Sequence, residues 1–544
     1  MTRTTLCLVA VALVYGCWQP YHRPEIERTK SPIDGHIEEQ PKTLGKEVVG
    51  IIDMLARDDV QHVDVLMIHG MCQHGNGWVE DSFNSLLSEL PEDKKVKKRR
   101  LVRESIAIAA SYAAAGRDRR KILLEEDIES MKRILNIHGD GKDNDELTEP
   151  EISQLNELLV NLPGDDETRM RRGRIIDICD LHKQTRLYSQ RYKINNKSLW
   201  LHAIVWSPVT TPLKRELCYD IHDRDNPVWK QCDAIQVCRQ NAGVWKVDEE
   251  EKIEPYMYQR AILNASLKEK LMNDCISDAF VYLGDRREEI QAQVALALIQ
   301  AAGIRGGKRR QSTGQFNEDA INRAAQENAP LFLISESLGS KVLFDTLLMM
   351  ISNVAELKRL QESAAHAPEG KDNLRTMAAA GEGNLLLEAL NANGVAVQTP
   401  ADLEAIMNAG LRTVERTVQV FLGSNQIPQL SLSEKDVLVK LIKQIEEEFP
   451  TWQNRFSIAA FTDPSDLFSY TLKNSGYAAN VEKAGVPVID VVVSNSASWM
   501  GLIEWPNLAH EGYRTNNDVK RTILCGIPER EDCPVEPDPA AQNF

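Results

Sequence analysis

Ser337 stands in Ala329-Pro330-Leu331-Phe332-Leu333-Ile334-Ser335-Glu336-Ser337-Leu338-Gly339-Ser340-Lys341-Val342, where an apolar strand runs into a short turn with serine at its centre. A glycine follows two residues later, and an apolar-periodic helix lies behind it. A hydroxyl held on such a turn becomes a nucleophile once a base takes its proton. The plainer reading is a serine in an ordinary strand-to-helix connection. Further along, Ser457 to Tyr470 carries a second apolar strand into a turn with two carboxylates, Asp463 and Asp466, and Asn507-Leu508-Ala509-His510-Glu511-Gly512-Tyr513 places a histidine in a later loop. Upstream, the apolar run from Val63 ends in Ile68-His69-Gly70-Met71. Hydroxyl, imidazole and carboxylate are the groups that nucleophilic acyl transfer needs. A lone loop histidine is usually solvated surface, Asp463 ahead of Pro464 fits turn chemistry, and His69 reads as a residue that hydrogen-bonds its own loop.

These four segments, in this order, resemble the α/β-hydrolase superfamily, in its lipase and esterase-like members. The resemblance implies Ser337 as nucleophile, His510 as base and Asp466 as acid, with Asp463 as the alternative acid. It implies the backbone N–H groups of Met71 and Leu338 as oxyanion donors, with His69, Gly70 and Gly339 shaping the loops around them. One position departs from the family's G-x-S-x-G: its first residue here is Ser335, which is still small enough for strand and helix to approach closely. The resemblance covers residues 60–90, 197–210, 328–350 and 415–525, under half of the chain.

The elements that must position these groups can be read from periodicity. Short apolar runs at 63–68, 199–206, 331–334, 418–422, 458–461 and 488–493 are expected strands, and 81–90, 341–353, 434–448 and 518–524 are expected helices. Strands alternating with helices imply an α/β fold with a mainly parallel sheet covered on both faces. The expected organisation is a signal over 1–17, a proline-marked tether over 18–60, a catalytic domain over 61–525 and a tail over 526–544. Stretches at about 95–195, 207–325 and 355–415 are expected as helical insertions around the sheet ends, able to form a cap, with an Ala- and Gly-rich loop over 363–383. Asp278, in Ser277-Asp278-Ala279-Phe280-Val281-Tyr282-Leu283-Gly284, reads as a helix-end carboxylate.

Composition sets outer bounds. The 544 residues carry a net charge of -16, with 42% hydrophobic and 26% charged residues, a globular profile whose sign opposes a nucleic-acid partner. No phosphate-cradling glycine loop follows a strand, so nucleotide binding has no sequence support. The N-terminus reads as a short cationic start, then the apolar run Leu6 to Val14, a secretion signal. Val14-Tyr15-Gly16-Cys17 resembles the bacterial lipobox, though Tyr15 is bulky, and implies lipidation at Cys17 and an outer-membrane lipoprotein of the cell envelope. Of the ten cysteines, eight remain beyond Cys7 and Cys17, an even set that suits an oxidising compartment; Cys232 with Cys238 and Cys525 with Cys533 are the closest pairs. Asp140 to Glu151 has the length and end residues of a calcium loop, but Lys142 and Asp145 occupy ligand- and turn-critical positions, so an acidic helix-capping loop is the favoured reading and no metal or other cofactor is expected. The expected activity is hydrolysis of a carboxylic ester or lipid near the membrane. Acyl transfer by the same residues, or a catalytically silent binding lipoprotein of the same fold, are the alternatives.

Overall fold

The computed structural model describes residues 25–28, 46–72, 76–88, 102–105, 185–194, 196–214, 267–284, 286–303, 318–365, 400–430, 456–473, 486–496, 506–529 and 531–535, with a few single positions between them. Nine strands form one sheet: β1 (Glu25–Arg28), β2 (His62–Ile68), β3 (Val102–Ser105), β4 (Arg186–Ile194), β5 (Lys197–Val205), β6 (Leu331–Glu336), β7 (Thr417–Gly423), β8 (Ser457–Thr462) and β9 (Val488–Val492). Their order is β1-β9-β8-β7-β6-β2-β5-β4-β3. The run from β9 to β5 is parallel throughout, and antiparallel strands close both edges. The chain is therefore α/β with a mostly parallel sheet.

The central strands are buried on both faces, which is why they read as unbroken apolar runs. The helices are α1 (Ile51–Ala56), α2 (Asn76–Leu87), α3 (Ser207–Lys214), α4 (Ser277–Leu283), α5 (Arg287–Gly303), α6 (Glu318–Gln326), α7 (Leu338–Ala365), α8 (Pro400–Glu415), α9 (Ile427–Leu430), α10 (Pro506–Glu511) and α11 (Asn517–Cys525), with a π-helical segment Leu267–Ile276 before α4. Alternate strand residues feed two cores. Leu66, Ile204, Leu333, Val420, Ile458 and Val488 share one cluster with α5, α7 and α8. Val65, Ala203, Phe332, Phe421, Phe461 and Val491 share the other with α1, α2 and α11. In the second, Phe332, Phe421 and Phe461 stack across neighbouring strands with centroids 6.5 and 6.1 Å apart. The first eighteen residues of α7 are long and apolar enough to cross a membrane by composition, yet 94% of them are buried inside the fold.

Several expected boundaries shift. The stretch read as a tether contributes β1, which pairs antiparallel with β9, and α1, whose Ile51, Met54 and Leu55 are buried. Prolines mark an extended chain there, and an extended chain can also be an edge strand. The stretch read as a tail is tied back: Ile527 N–H donates to Val48 O at 2.8 Å, and Cys533 is disulfide-bonded to Cys525. Within the first expected insertion, β3 and β4 belong to the sheet; β4 alternates buried and exposed residues toward its tip, so its charged residues hid the strand. In the second, α5 is buried from Ile290 to Gly303 and packs on the sheet face, not as a cap over its ends. The signal and Cys17, the Asp140–Glu151 loop, Cys232, Cys238, the helix expected at 434–448 and most of the 363–383 loop lie outside the described residues.

Candidate active site

Ser337 separates β6 from α7 and holds φ at +52°, a left-handed conformation that costs a non-glycine residue about 1 kcal/mol or more. The surroundings enforce it. Ser337 N–H donates to Gly423 O at 2.7 Å, and Ser337 O accepts from Ser340 N–H at 3.0 Å. A Cβ on Gly339 would meet His69 O at 2.2 Å, and a Cβ on Gly70 would meet Ser337 Cβ at 2.6 Å, so glycine is required at both positions for the loop after β2 to lie against the elbow that Ser337 makes between β6 and α7. Ser335, where the family pattern has glycine, is fully buried, with its Oγ 3.2 Å from Ser340 Oγ. The tight approach is thus kept with a hydroxyl in place of a bare Cα.

His510, in α10, and Asp466, in the turn after β8, meet at 2.9 Å between Nδ1 and Oδ1. Burial pushes the Asp466 carboxyl up, but hydrogen bonds and charge from His510, together with bonds from Ser424 Oγ and Phe468 N–H, outweigh it and hold the group below the ordinary carboxylate value. Ser424, itself at φ +49°, donates its hydroxyl to Asp466 Oδ2 at 2.7 Å and lies 2.8 Å from His510 Nδ1. Tyr513 OH donates to Asp466 Oδ2 at 3.1 Å and accepts Asp463 N–H at 2.7 Å. Phe468 packs edge-to-face with the imidazole, centroids 5.3 Å apart. Asp463 turns the other way, accepting the N–H groups of Ser465 and Asn495 at 2.8 and 2.6 Å. It holds its turn and the neighbouring loop.

Ser337 Oγ is buried and accepts a hydrogen bond from Gln426 Nε2 at 2.8 Å. No hydrogen bond joins it to His510, so the expected unbroken relay of hydroxyl, imidazole and carboxylate is not formed. The nucleophile candidate and the His–Asp pair are connected instead through the end of β7 and the residues that follow: Gly423 holds the Ser337 backbone, Ser424 holds the pair and Gln426 holds the hydroxyl. With Nδ1 engaged, Nε2 is the imidazole nitrogen left to exchange a proton.

The loop after β2 is fastened from outside. His69 is fully buried; its Nδ1 lies 2.7 Å from Gly70 O while its Nε2 accepts the N–H groups of Trp206 and Ser207 at 2.9 and 3.2 Å. Two N–H donors on Nε2 require the neutral Nδ1–H tautomer, a structural role. Cys72, at φ +75°, is disulfide-bonded to Cys275, and its N–H donates to Asp278 Oδ2 at 2.8 Å. Asp278 stands in the first turn of α4, the helix-end position expected, but it is fully buried and lies 2.9 Å from Lys214 Nζ. Burial raises its carboxyl to about 6, with Lys214 pulling the other way. The backbone of Met71 is thereby fixed beside Gly70 and the elbow, while Leu338 N–H belongs to the first turn of α7, where helical N–H groups have no intrahelical acceptor.

Among the described residues, the group with the spacing of a metal site is Cys72, Asp274 and Cys275, and both thiols are consumed in the disulfide. An apolar cavity beside β6 and β7 is lined by Trp78, Leu86, Glu336, Phe421, Phe461 and Arg514, among others; Ser337 and His510 are not in its wall. Glu336 there pairs with Arg514 at 3.3 Å.

Sequence reasoning missed Ser424, Gln426, Tyr513 and the burial of Asp278. One signal was readable: Gly423-Ser424-Asn425-Gln426 is a polar run just past the carboxyl end of a central parallel strand, where open α/β sheets build their sites. Comparison of the chain with protein-family models, with curated proteins and with solved structures found no match.

Proposed function

We propose that the chain is a serine hydrolase of the α/β-hydrolase type that cleaves carboxylic esters through an acyl-enzyme. The observation that carries this reading is the left-handed Ser337 at the amino end of α7, at the same carboxyl end of the parallel strands as a His510–Asp466 pair bonded at 2.9 Å. In the proposed reaction His510 takes the Ser337 proton as Oγ attacks the ester carbonyl, then passes it to the departing alcohol. Water hydrolyses the acyl-enzyme by the reverse sequence, and Asp466 orients the imidazole and offsets its positive charge. Met71 and Leu338 N–H groups serve the tetrahedral oxyanion, aided by the amino end of α7. Because Ser337 and His510 are not hydrogen-bonded in the resting arrangement, an approach of the two accompanies substrate binding, as catalytic hydrogen bonds often tighten only in the bound complex. Lipidation at Cys17, and with it a place at the bacterial outer membrane next to glycerolipid esters, completes the proposal.

A second reading has one observation in its favour: the engagement of Ser337 Oγ by Gln426 in place of His510 would suit a silent hydrolase fold retained for binding. Fluorophosphonate labelling separates the two. Wild type should be labelled and Ser337→Ala should not, with p-nitrophenyl esters of increasing acyl length then defining the substrate class. A wild type that resists labelling would favour the silent fold.

A further inference from the structure

Gln426 is 2% exposed, and the loop that carries it is pinned at several points. Asn425 Oδ1 accepts Ile427 N–H at 3.1 Å, Asn425 Nδ2 donates to Tyr470 O at 3.0 Å, and Asn425 O accepts Tyr470 N–H at 2.9 Å. The backbone that carries Gln426 is therefore tied to the segment after β8 that also carries Asp466. Its nitrogen has two hydrogens to donate. It lies 2.8 Å from Ser337 Oγ and 4.0 Å from the Met71 thioether sulfur, a weak acceptor at the limit of contact. A buried donor facing so poor a partner is ready for a better one. The reaction proposed above supplies it: once Oγ bonds to the carbonyl carbon, the oxygen that becomes negative sits on that same carbon, on the side where the Met71 and Leu338 backbones meet the elbow.

We propose that the Gln426 side chain is a third donor to the oxyanion, a catalytic residue in addition to the two backbone N–H groups. In the resting state one N–H engages Oγ at an oxygen lone pair, which leaves the hydroxyl hydrogen for His510. In the tetrahedral intermediate the amide bonds the new O⁻, where charge develops and a preorganised dipole stabilises most. No proton moves to or from Gln426. The inference rests on the serine hydrolase reading.

The test compares wild type with Gln426→Leu, which keeps the bulk and removes the donors, and Gln426→Glu, which keeps the shape and replaces the donors with a carboxylate. Full-length proteins are assayed for p-nitrophenyl butyrate hydrolysis and for the rate of Ser337 labelling by a fluorophosphonate, whose phosphoryl oxygen occupies the oxyanion position. The expected result is a kcat lower by about a hundredfold in Gln426→Leu and more in Gln426→Glu, with KM changed by no more than about threefold and labelling slowed in parallel. A melting temperature that stays at the wild-type value in either variant makes that variant the one to judge. Unchanged kcat and labelling in a folded variant would overturn the assignment. So would faster labelling, which would make Gln426 a latch that restrains Ser337. A wild type with no Ser337-dependent labelling defeats the hydrolase reading itself, a result distinct from both.

Discussion

Cys72 donates its backbone N–H to the Asp278 carboxylate at 2.8 Å across 206 residues of sequence. This bond fixes the loop that carries Met71 to the element before α5, and Lys214 neutralises the buried charge at 2.9 Å. Removing the carboxylate takes the acceptor from Cys72 N–H and leaves Lys214 paired with Asp274 at 3.0 Å, so Asp278→Ala should cost about 1–3 kcal/mol of stability by denaturant unfolding and lower kcat through a loosened loop.

The same group sets a pH signature. Burial raises its folded pKa to about 6, above the ordinary carboxylate value of about 3.9, so between those limits the folded state holds a proton that the unfolded state has released. Its favourable contribution is complete below the unfolded value and is lost as pH rises through about 6. Asp278→Asn, which preserves an acceptor for Cys72, should therefore flatten the melting-temperature profile between about pH 4 and 6. Identical slopes in the two proteins would contradict the assignment.

Asp466 behaves oppositely. Its folded pKa is depressed by His510, Ser424 and the Phe468 N–H against the effect of burial, so the stability it contributes is present above the ordinary carboxylate value and disappears as pH falls through the lowered one. Asp466→Asn is expected to reduce kcat by roughly 10³–10⁴ through the wrong imidazole tautomer, and its stability deficit at neutral pH should vanish in acid. Ester hydrolysis and calorimetry between about pH 2 and 8 check both halves.

Tyr513 supports the acid from behind. Burial, and then the Asp466 charge, raise its phenol well above the usual value, so it stays protonated and donates to Asp466 Oδ2 at 3.1 Å. Tyr513→Phe removes that donor and strips Asp463 N–H of its acceptor. A loss of about 1–3 kcal/mol with a kcat reduction of less than about tenfold is expected in unfolding and activity assays; a neutral effect on both would show that the contact is dispensable.

Gly339 tests the close approach of the elbow to the β2 loop. A methyl group there meets His69 O at 2.2 Å, and backbone cannot yield as a flexible side chain would. Gly339→Ala should cost more than about 2 kcal/mol and abolish labelling of Ser337 even where the protein still folds.

Six of the nine strands were legible because buried parallel strands are continuous apolar runs; the run at 63–68, for example, proves to be His62–Ile68. β1, β3 and β4 were not. Their residues are mixed in polarity, and what makes them strands is a partner: β9 for Glu25–Arg28, β4 for Val102–Ser105, and β5 together with a half-covered face for Arg186–Ile194. Helix α5 was readable as a helix but not as a core layer, since burial all round depends on what surrounds it.

At the site, the sequence by itself determined the residue types, their order along the chain and the strand–turn–helix that gives Ser337 its setting, because these depend on neighbours within a few positions. The resemblance already favoured Asp466 over Asp463, and the fold realises that choice as a contact with His510; tertiary structure alone decided that Gln426 engages Ser337 across 89 residues and that Asp278 is buried against Lys214. Hydrogen-bond partnership and dielectric environment belong to three-dimensional proximity, and nothing local in an amino-acid string encodes which distant polar group will arrive.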